Sequence, residues 1–303
     1  RYLLYKEEKE SKVMKKAILL AGALTVAMAA LTACGGTGKA EPETTTQAAA
    51  EAATNAETET TAKAEETTEA AEKAEAQTIA AAASLETCLR DELIPLFEKQ
   101  NPGFTIEGTY DSSGKLQTQI EEGAGIDVFF SAATKQMDAL NDEGMIQDGS
   151  VRNLLENKIV FIVPTGDEGN YSSFEDIAKA ENVALGDPDS VPVGQYSKEA
   201  LTNLGLWDEV LAKASLGTNV TEVLNWVAEG SAKAGIVYAT DAAQTDKVTI
   251  VAEAPEGSVK KAIYPAGIIK DCENPDGAQK FIDFLASSEA MDIFVKNGFA
   301  AAE

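Results

Sequence analysis

Three textures follow one another along the chain. Residues 17–31 are apolar almost throughout, residues 35–77 hold no aromatic residue and no aliphatic larger than alanine, and from Thr78 short apolar runs alternate with helical patterns. In that third part, apolar β-rich runs predict strands at 78–82, 105–109, 127–131, 159–163, 183–185, 234–238, 248–252 and 262–269. Apolar positions recurring at helical spacing predict helices at 85–100, 114–122, 133–143, 174–180, 194–204, 208–214, 220–229, 275–287 and 288–297. Asn101-Pro102-Gly103, Gly123, Gly144 and Gly205 are suitable helix stops. Strand–helix alternation implies parallel sheets with crossover helices, an α/β class. The 226 residues from Thr78 suffice for one large α/β domain or two smaller lobes. The first strand reads poorly, because Ala80–Ala83 has weak β propensity.

The first apolar stretch has a basic start, Met14-Lys15-Lys16, and ends in Leu31-Thr32-Ala33-Cys34-Gly35. A basic start, a short apolar stretch and small residues before a cut describe a secretory signal. The stretch is shorter than the roughly 20 apolar residues that a membrane span needs. A cysteine at the cut resembles a bacterial lipobox, which makes Cys34 the lipidated mature N-terminus and Met14 the start. The expected location is outside the cytoplasm, anchored by lipid to the cell membrane, in the periplasm or on the outer face. Residues 35–77 cannot bury enough apolar surface to offset ordering entropy, so they read as a solvated tether with a mean reach of roughly 35 Å.

Charge follows the same division. Residues 1–33 carry six Lys/Arg against three Asp/Glu, residues 35–77 three against ten, and residues 78–303 sixteen against thirty-seven. An acidic chain of this kind argues against nucleic acid or anionic lipid as a partner, since both require clustered Lys/Arg. Acidity does not exclude a small anion, which backbone N–H groups can bind.

Much chemistry is excluded. The chain has no histidine, which removes Ser–His–Asp and Cys–His catalysis and histidine-rich metal sites. No GxxxxGK[ST] is present and no GxGxxG follows a strand, so neither phosphate loop applies. A Ser113–Lys115 dyad is the remaining catalytic possibility, with no special arrangement behind it. The expectation is a protein that is not an enzyme and carries no cofactor or metal cation. Cys88 and Cys272 read as two free thiols, with a disulfide as the alternative.

Four predicted helices begin with small or hydroxyl residues: Ala83-Ser84-Leu85, Asp111-Ser112-Ser113-Gly114, Pro192-Val193-Gly194 and Thr218-Asn219-Val220-Thr221. Helix N-termini expose unpaired N–H groups and a partial positive charge suited to a dehydrated anion, although the same residues are ordinary caps.

Ala81-Ala82-Ala83-Ser84-Leu85, Ser112-Ser113, the run Gly186 to Gly194 (GDPDSVPVG), Tyr196-Ser197-Lys198-Glu199-Ala200-Leu201 and Gly235-Ile236-Val237-Tyr238 occur in that order. Together they resemble the substrate-binding protein of molybdate ABC transporters, over essentially all of Thr78 to Phe299. The resemblance implies a two-lobe type II periplasmic-binding-protein fold, each lobe a mixed, mostly parallel sheet flanked by helices. The lobes divide as 78–162, then 163–256, with 257–303 returning to the first. The resemblance also implies one bound molybdate or tungstate. Ser84 and Ser113 would donate hydroxyl and N–H groups, Val193 and Val220 backbone N–H, and Tyr238 its phenol. It implies a permease with its ATPase as partners, and a monomer.

Two departures from the family pattern stand out. Val193 replaces a frequent alanine, and Asp111 lies two residues before Ser113, where a carboxylate facing the anion would oppose binding. Asp111 is expected to face solvent or cap a neighbouring N–H. Alternatives are a protein of the same fold for sulfate or another tetrahedral oxyanion, a Ser–Lys hydrolase, or an adhesin on a spacer.

Overall fold

The computed structural model describes residues 75–302. Cys34, the signal stretch and nearly all of the tether lie outside the described residues.

The first sheet takes shape around β1 (Glu75–Ala82), which pairs in parallel with β2 (Phe104–Asp111) on one side and β3 (Val128–Phe130) on the other. Neighbours on both edges and complete burial of Ile79, Ala80 and Ala81 hold as a strand a sequence with little β propensity of its own. Beyond β3 lie β10 (Ala262–Ile268), β4 (Arg152–Asn157) and β11 (Ala300–Ala301), each antiparallel to its neighbour. The second sheet repeats the plan. Its parallel trio is β7 (Ala214–Gly217), β6 (Val183–Gly186) and β8 (Ala234–Tyr238), followed by antiparallel β5 (Ile159–Pro164) and β9 (Val248–Glu253).

In each sheet the strand next to the trio, β10 or β5, enters from the other sheet. The chain leaves the first sheet at Asn157 and enters the second at Ile159. The boundary expected between residues 162 and 163 thus falls inside β5, and the passage is at Lys158. The return runs through residues 254–261.

Helices join the parallel strands. A 3-10 turn (Ala83–Leu85) leads through Glu86–Cys88 and a π-helical turn (Leu89–Leu93) into α1 (Ile94–Gln100), one continuous helical run where the sequence predicts one. Then come α2 (Ser113–Glu121), α3 (Thr134–Asp142), α4 (Pro192–Asn203), α5 (Trp207–Leu211), α6 (Val220–Ala228), α7 (Ala239–Ala242), α8 (Pro275–Leu285) and α9 (Ser288–Lys296). The segment predicted as helical at 174–180 is 3-10 from Phe174 to Lys179, and a short 3-10 turn at Glu168–Asn170 was not expected. Three strands and one short helix also escape the sequence reading. β4 has adjacent buried leucines, Leu154 and Leu155, between polar ends; β7 is an edge strand with Leu216 exposed; β11 is two residues long, and α7 is four.

Cys88 and Cys272 are both free thiols. Among the described residues no helix is long and apolar enough to cross a membrane.

Candidate functional site

The carboxyl ends of the six parallel strands are Ala82, Asp111 and Phe130 in the first sheet and Gly186, Gly217 and Tyr238 in the second. In open α/β sheets ligands bind outside these ends, where helix N-termini gather. All five sequence-predicted residues are there. Ser84 lies in the turn after β1, Ser113 opens α2, Val193 is in the first turn of α4, Val220 opens α6, and Tyr238 ends β8. All five are buried.

Three of them, Ser84, Ser113 and Tyr238, are joined by contacts, and Val220 is drawn in through its neighbour Asn219. The Ser113 hydroxyl oxygen accepts from the Ala132 N–H at 3.0 Å, and the Tyr238 phenol donates to the Ala132 carbonyl at 3.3 Å. One peptide segment after β3 thereby ties α2 to the second sheet. The Ser84 hydroxyl bonds the Tyr264 hydroxyl at 3.0 Å, and the Tyr264 ring meets Tyr238 edge-on with centroids 5.5 Å apart. Asn157, the last residue of β4, donates to Tyr264 Oη at 3.2 Å and to Thr240 Oγ1 at 2.9 Å. Behind Val220, Asn219 caps α6 by accepting from the Glu222 N–H at 2.9 Å, while the Glu222 carboxylate reaches back to the Thr218 N–H at 2.6 Å. Asn219 Nδ2 donates to Asp111 Oδ1 at 3.3 Å, which brings the start of α6 to the start of α2.

Val193 stands apart. Its carbonyl accepts from the Ser197 hydroxyl at 2.6 Å, and its helix meets α2 only three residues upstream, where the Gly114 N–H donates to the Ser190 carbonyl at 2.9 Å. Ser113 and Lys115 do not pair as a dyad. The hydroxyl is held by Ala132, and Lys115 Nζ lies 3.2 Å from Asp111 Oδ1.

Asp111 accepts from the Ser112 N–H at 2.7 Å, so it caps a neighbouring amide as expected. It also faces the second sheet through Asn219, which the sequence reading did not foresee. A carboxylate there opposes an incoming anion, and the Lys115 ammonium offsets that charge.

The assembled donors are neutral: three hydroxyls and the N–H groups at the starts of α2, α4 and α6. Burial pushes the Tyr238 and Tyr264 phenols well above their usual range, so both keep their protons at neutral pH and can donate. Burial also lifts the Asp241 carboxyl, in the helix that follows Tyr238, to about 7. Neutral fixed dipoles can hold a dehydrated anion without a metal or a lysine. Among the described residues no cluster of three acidic or cysteine side chains is placed to hold a metal ion.

Sequence reasoning missed Ala132 and Tyr264 as members of this set, and read Asn219 only as part of a helix start. Ala132 had a usable signal, since Ser131-Ala132-Ala133 bridges β3 and α3 as Ala83-Ser84 follows β1. Tyr264 had none, because nothing in a buried strand sequence points it at Ser84.

Two cavities adjoin the first sheet. A groove of about 450 Å³ runs between Ala83, Glu86 and Tyr110 on one side and Thr218, Asn219 and Trp226 on the other. A larger hollow of about 1210 Å³ lies at the amino ends of the first sheet's three parallel strands, lined by Gly103, Gly125, Asp127 and Lys280 among others. Neither cavity is lined by any of the five residues, and at the larger one α2 presents its carbonyl end, which disfavours an anion. The smaller groove adjoins the chemistry.

Comparison with known proteins agrees with this geometry. YvgL of Bacillus subtilis (strain 168), provisionally named as an ABC transporter substrate-binding lipoprotein, is 44% identical over 74% of this chain and 86% of its own length. The molybdate-binding protein ModA of Haemophilus influenzae is 37% identical over 74% of this chain and 89% of its own. The solved periplasmic molybdate-binding protein of Azotobacter vinelandii superposes with a TM-score of 0.67 at 24% identity, over 75% of this chain and all of that one, and shares the fold. The family model for bacterial extracellular solute-binding proteins matches residues 77–300. The chain belongs to the family of bacterial extracellular solute-binding proteins.

Proposed function

We propose that this chain captures molybdate or tungstate outside the cytoplasm and delivers it to an ABC importer. The observation that carries the reading is that the segments before α4 and α6 reach the start of α2, through Ser190 to Gly114 and through Asn219 to Asp111, beside the hydroxyls of Ser84, Ser113 and Tyr238. That donor set has the chemistry of a site for a fully ionised tetrahedral oxyanion. Phosphate carries a proton at neutral pH, which needs a strong acceptor; the hydroxyls are weak ones, and the Asp111 carboxylate is already engaged by Ser112, Lys115 and Asn219. The relatives named for molybdate support the choice of ion.

Ser84, Ser113 and Tyr238 are read as side-chain ligands, Val193 and Val220 as backbone donors. The two sheets are read as the cores of two lobes, with Lys158 and residues 254–261 as the connections about which they close. A ligand held by both lobes favours the closed state by the difference in its affinity for the two states. Delivery would be to a membrane permease with its ATPase, by a monomer held to the membrane through lipid on Cys34.

Thermal unfolding of the chain with molybdate, tungstate, sulfate and phosphate tests the reading. At 100 times the dissociation constant a ligand adds about 2.7 kcal/mol, which raises the midpoint by about 5–10 °C at this size. A rise with molybdate and tungstate alone is expected. An equal rise with sulfate, or none with any oxyanion, overturns it.

A further inference from the structure

We propose that Asp111 is a positioning residue that latches the two halves of the cleft together, a carboxylate that holds the closed state without touching the captured ion. This rests on reading the cleft as an oxyanion site.

The argument begins with three bonds to one carboxylate. Asp111, the last residue of β2, accepts from the Ser112 N–H at 2.7 Å, which fixes the backbone directly before Ser113. It accepts from Lys115 Nζ at 3.2 Å, one turn along α2, which offsets its charge. It accepts from Asn219 Nδ2 at 3.3 Å, and Asn219 belongs to the second sheet's side. The Asn219 side chain is in turn fixed by its other end, whose oxygen caps α6 at the Glu222 N–H. One carboxylate thus connects the helix that Ser113 opens with the helix that Val220 opens. The side chain of Asp111 is 26% exposed and sits at the edge of the cleft beside the groove that Trp226 lines. An edge position with a compensating ammonium lets a carboxylate stay near an anion site and still strengthen closure.

Two opposite effects are therefore in competition. As a like charge, Asp111 would speed release of a bound dianion. As a latch, it would slow release, because the lobes cannot part without breaking its bond to Asn219. A charge-assisted hydrogen bond contributes more than a neutral one, and the charge repulsion is reduced by Lys115, so the latch should win.

Molybdate release, followed by stopped-flow fluorescence with Trp226 beside the groove, decides between them. Asp111→Ala should raise the release rate about tenfold while the association rate stays within about twofold. Asp111→Asn keeps an acceptor oxygen for Asn219 but not the charge, so it should recover only part of the loss. Asn219→Ser keeps a cap for α6 but is too short to reach Asp111, so it should also speed release. The double variant should release no faster than the faster single variant, since both break the same bond. Slower release from Asp111→Ala, or additive effects in the double variant, overturns the latch. A measurement without molybdate separates this from failure of the ion assignment. The Gly114 amide donates across the cleft to Ser190, so its hydrogen exchange in the ligand-free protein reports closure. Asn219→Ser, which does not touch α2, should speed that exchange, and unchanged exchange overturns the latch whichever ion binds.

Discussion

The Tyr238 phenol donates to the Ala132 carbonyl at 3.3 Å, across the gap between the second sheet and the first. The same Ala132 peptide segment gives its N–H to Ser113. A phenol at the end of one sheet, a peptide after a strand of the other and a serine at a helix start thus act as one unit. Tyr238→Phe removes the donor without changing the ring that packs against Tyr196 and Tyr264. Molybdate affinity should fall about 5- to 150-fold, from the 1–3 kcal/mol cost of an unmet buried partner. Calorimetric titration measures it, and unchanged affinity would remove Tyr238 from the site.

The two serines should separate affinity from stability. Ser84→Ala leaves the Tyr264 hydroxyl still bonded to Asn157, whereas Ser113→Ala leaves the buried Ala132 N–H without its acceptor. Both variants should lose molybdate affinity by about 5- to 150-fold. Ser113→Ala should also unfold at a lower temperature without ligand, by about 1–3 kcal/mol, with Ser84→Ala less affected. Equal melting of the two ligand-free variants would contradict the bonding described here.

Two glycines make close backbone approaches and differ in what they approach. A Cβ at Gly194 would sit 2.2 Å from the Gly186 carbonyl oxygen, inside the second sheet's own packing. A Cβ at Gly114 would sit 2.3 Å from the Ser190 carbonyl oxygen, across the cleft. Gly194→Ala should therefore lower the ligand-free melting midpoint, because neither neighbour can move. Gly114→Ala should lower the ligand-free midpoint less than Gly194→Ala and weaken molybdate binding, because the lobes can part to relieve the clash but then cannot close. A melting loss at Gly114 as large as at Gly194 would argue that the two halves do not separate.

Legibility in the sequence followed burial and local chemistry. Val183–Leu185 and Ala234–Tyr238 were readable because buried parallel strands are apolar throughout. The helix start at Val220 was readable because capping is local: residues three or four apart satisfy it, as Asn219 and Glu222 do. Leu154 and Leu155 did not announce β4, since its partners are β10, more than a hundred residues later, and β11 at the end of the chain. Asp111 was recognisable as a carboxylate beside a candidate anion donor, yet its bond to Asn219 depends on how two sheets meet. The residues of the site were local features; their connections were tertiary.

Asp241 offers a pH test of the same region. It lies in α7, directly after Tyr238, and burial raises its carboxyl from an ordinary 3.8 to about 7. Below about pH 4 the group is neutral in both folded and unfolded chains and contributes no pH dependence. Between about 4 and 7 the unfolded chain is ionised while the folded one keeps its proton, so stability falls as pH rises. Above about 7 the folded group is forced to ionise and the full penalty, up to about 4 kcal/mol for a shift of this size, is present. Asp241→Asn removes that ionisation. The melting midpoint of the variant should therefore exceed that of the parent chain by more at pH 8 than at pH 4. Comparing the two proteins at each pH cancels the other carboxylates. The ionised carboxylate also lies close behind the phenol expected to donate to a dianion, so molybdate affinity should weaken between pH 6 and pH 8 in the parent chain. That slope should flatten in Asp241→Asn. An equal midpoint difference at both pH values would mean that Asp241 does not change its charge near neutrality.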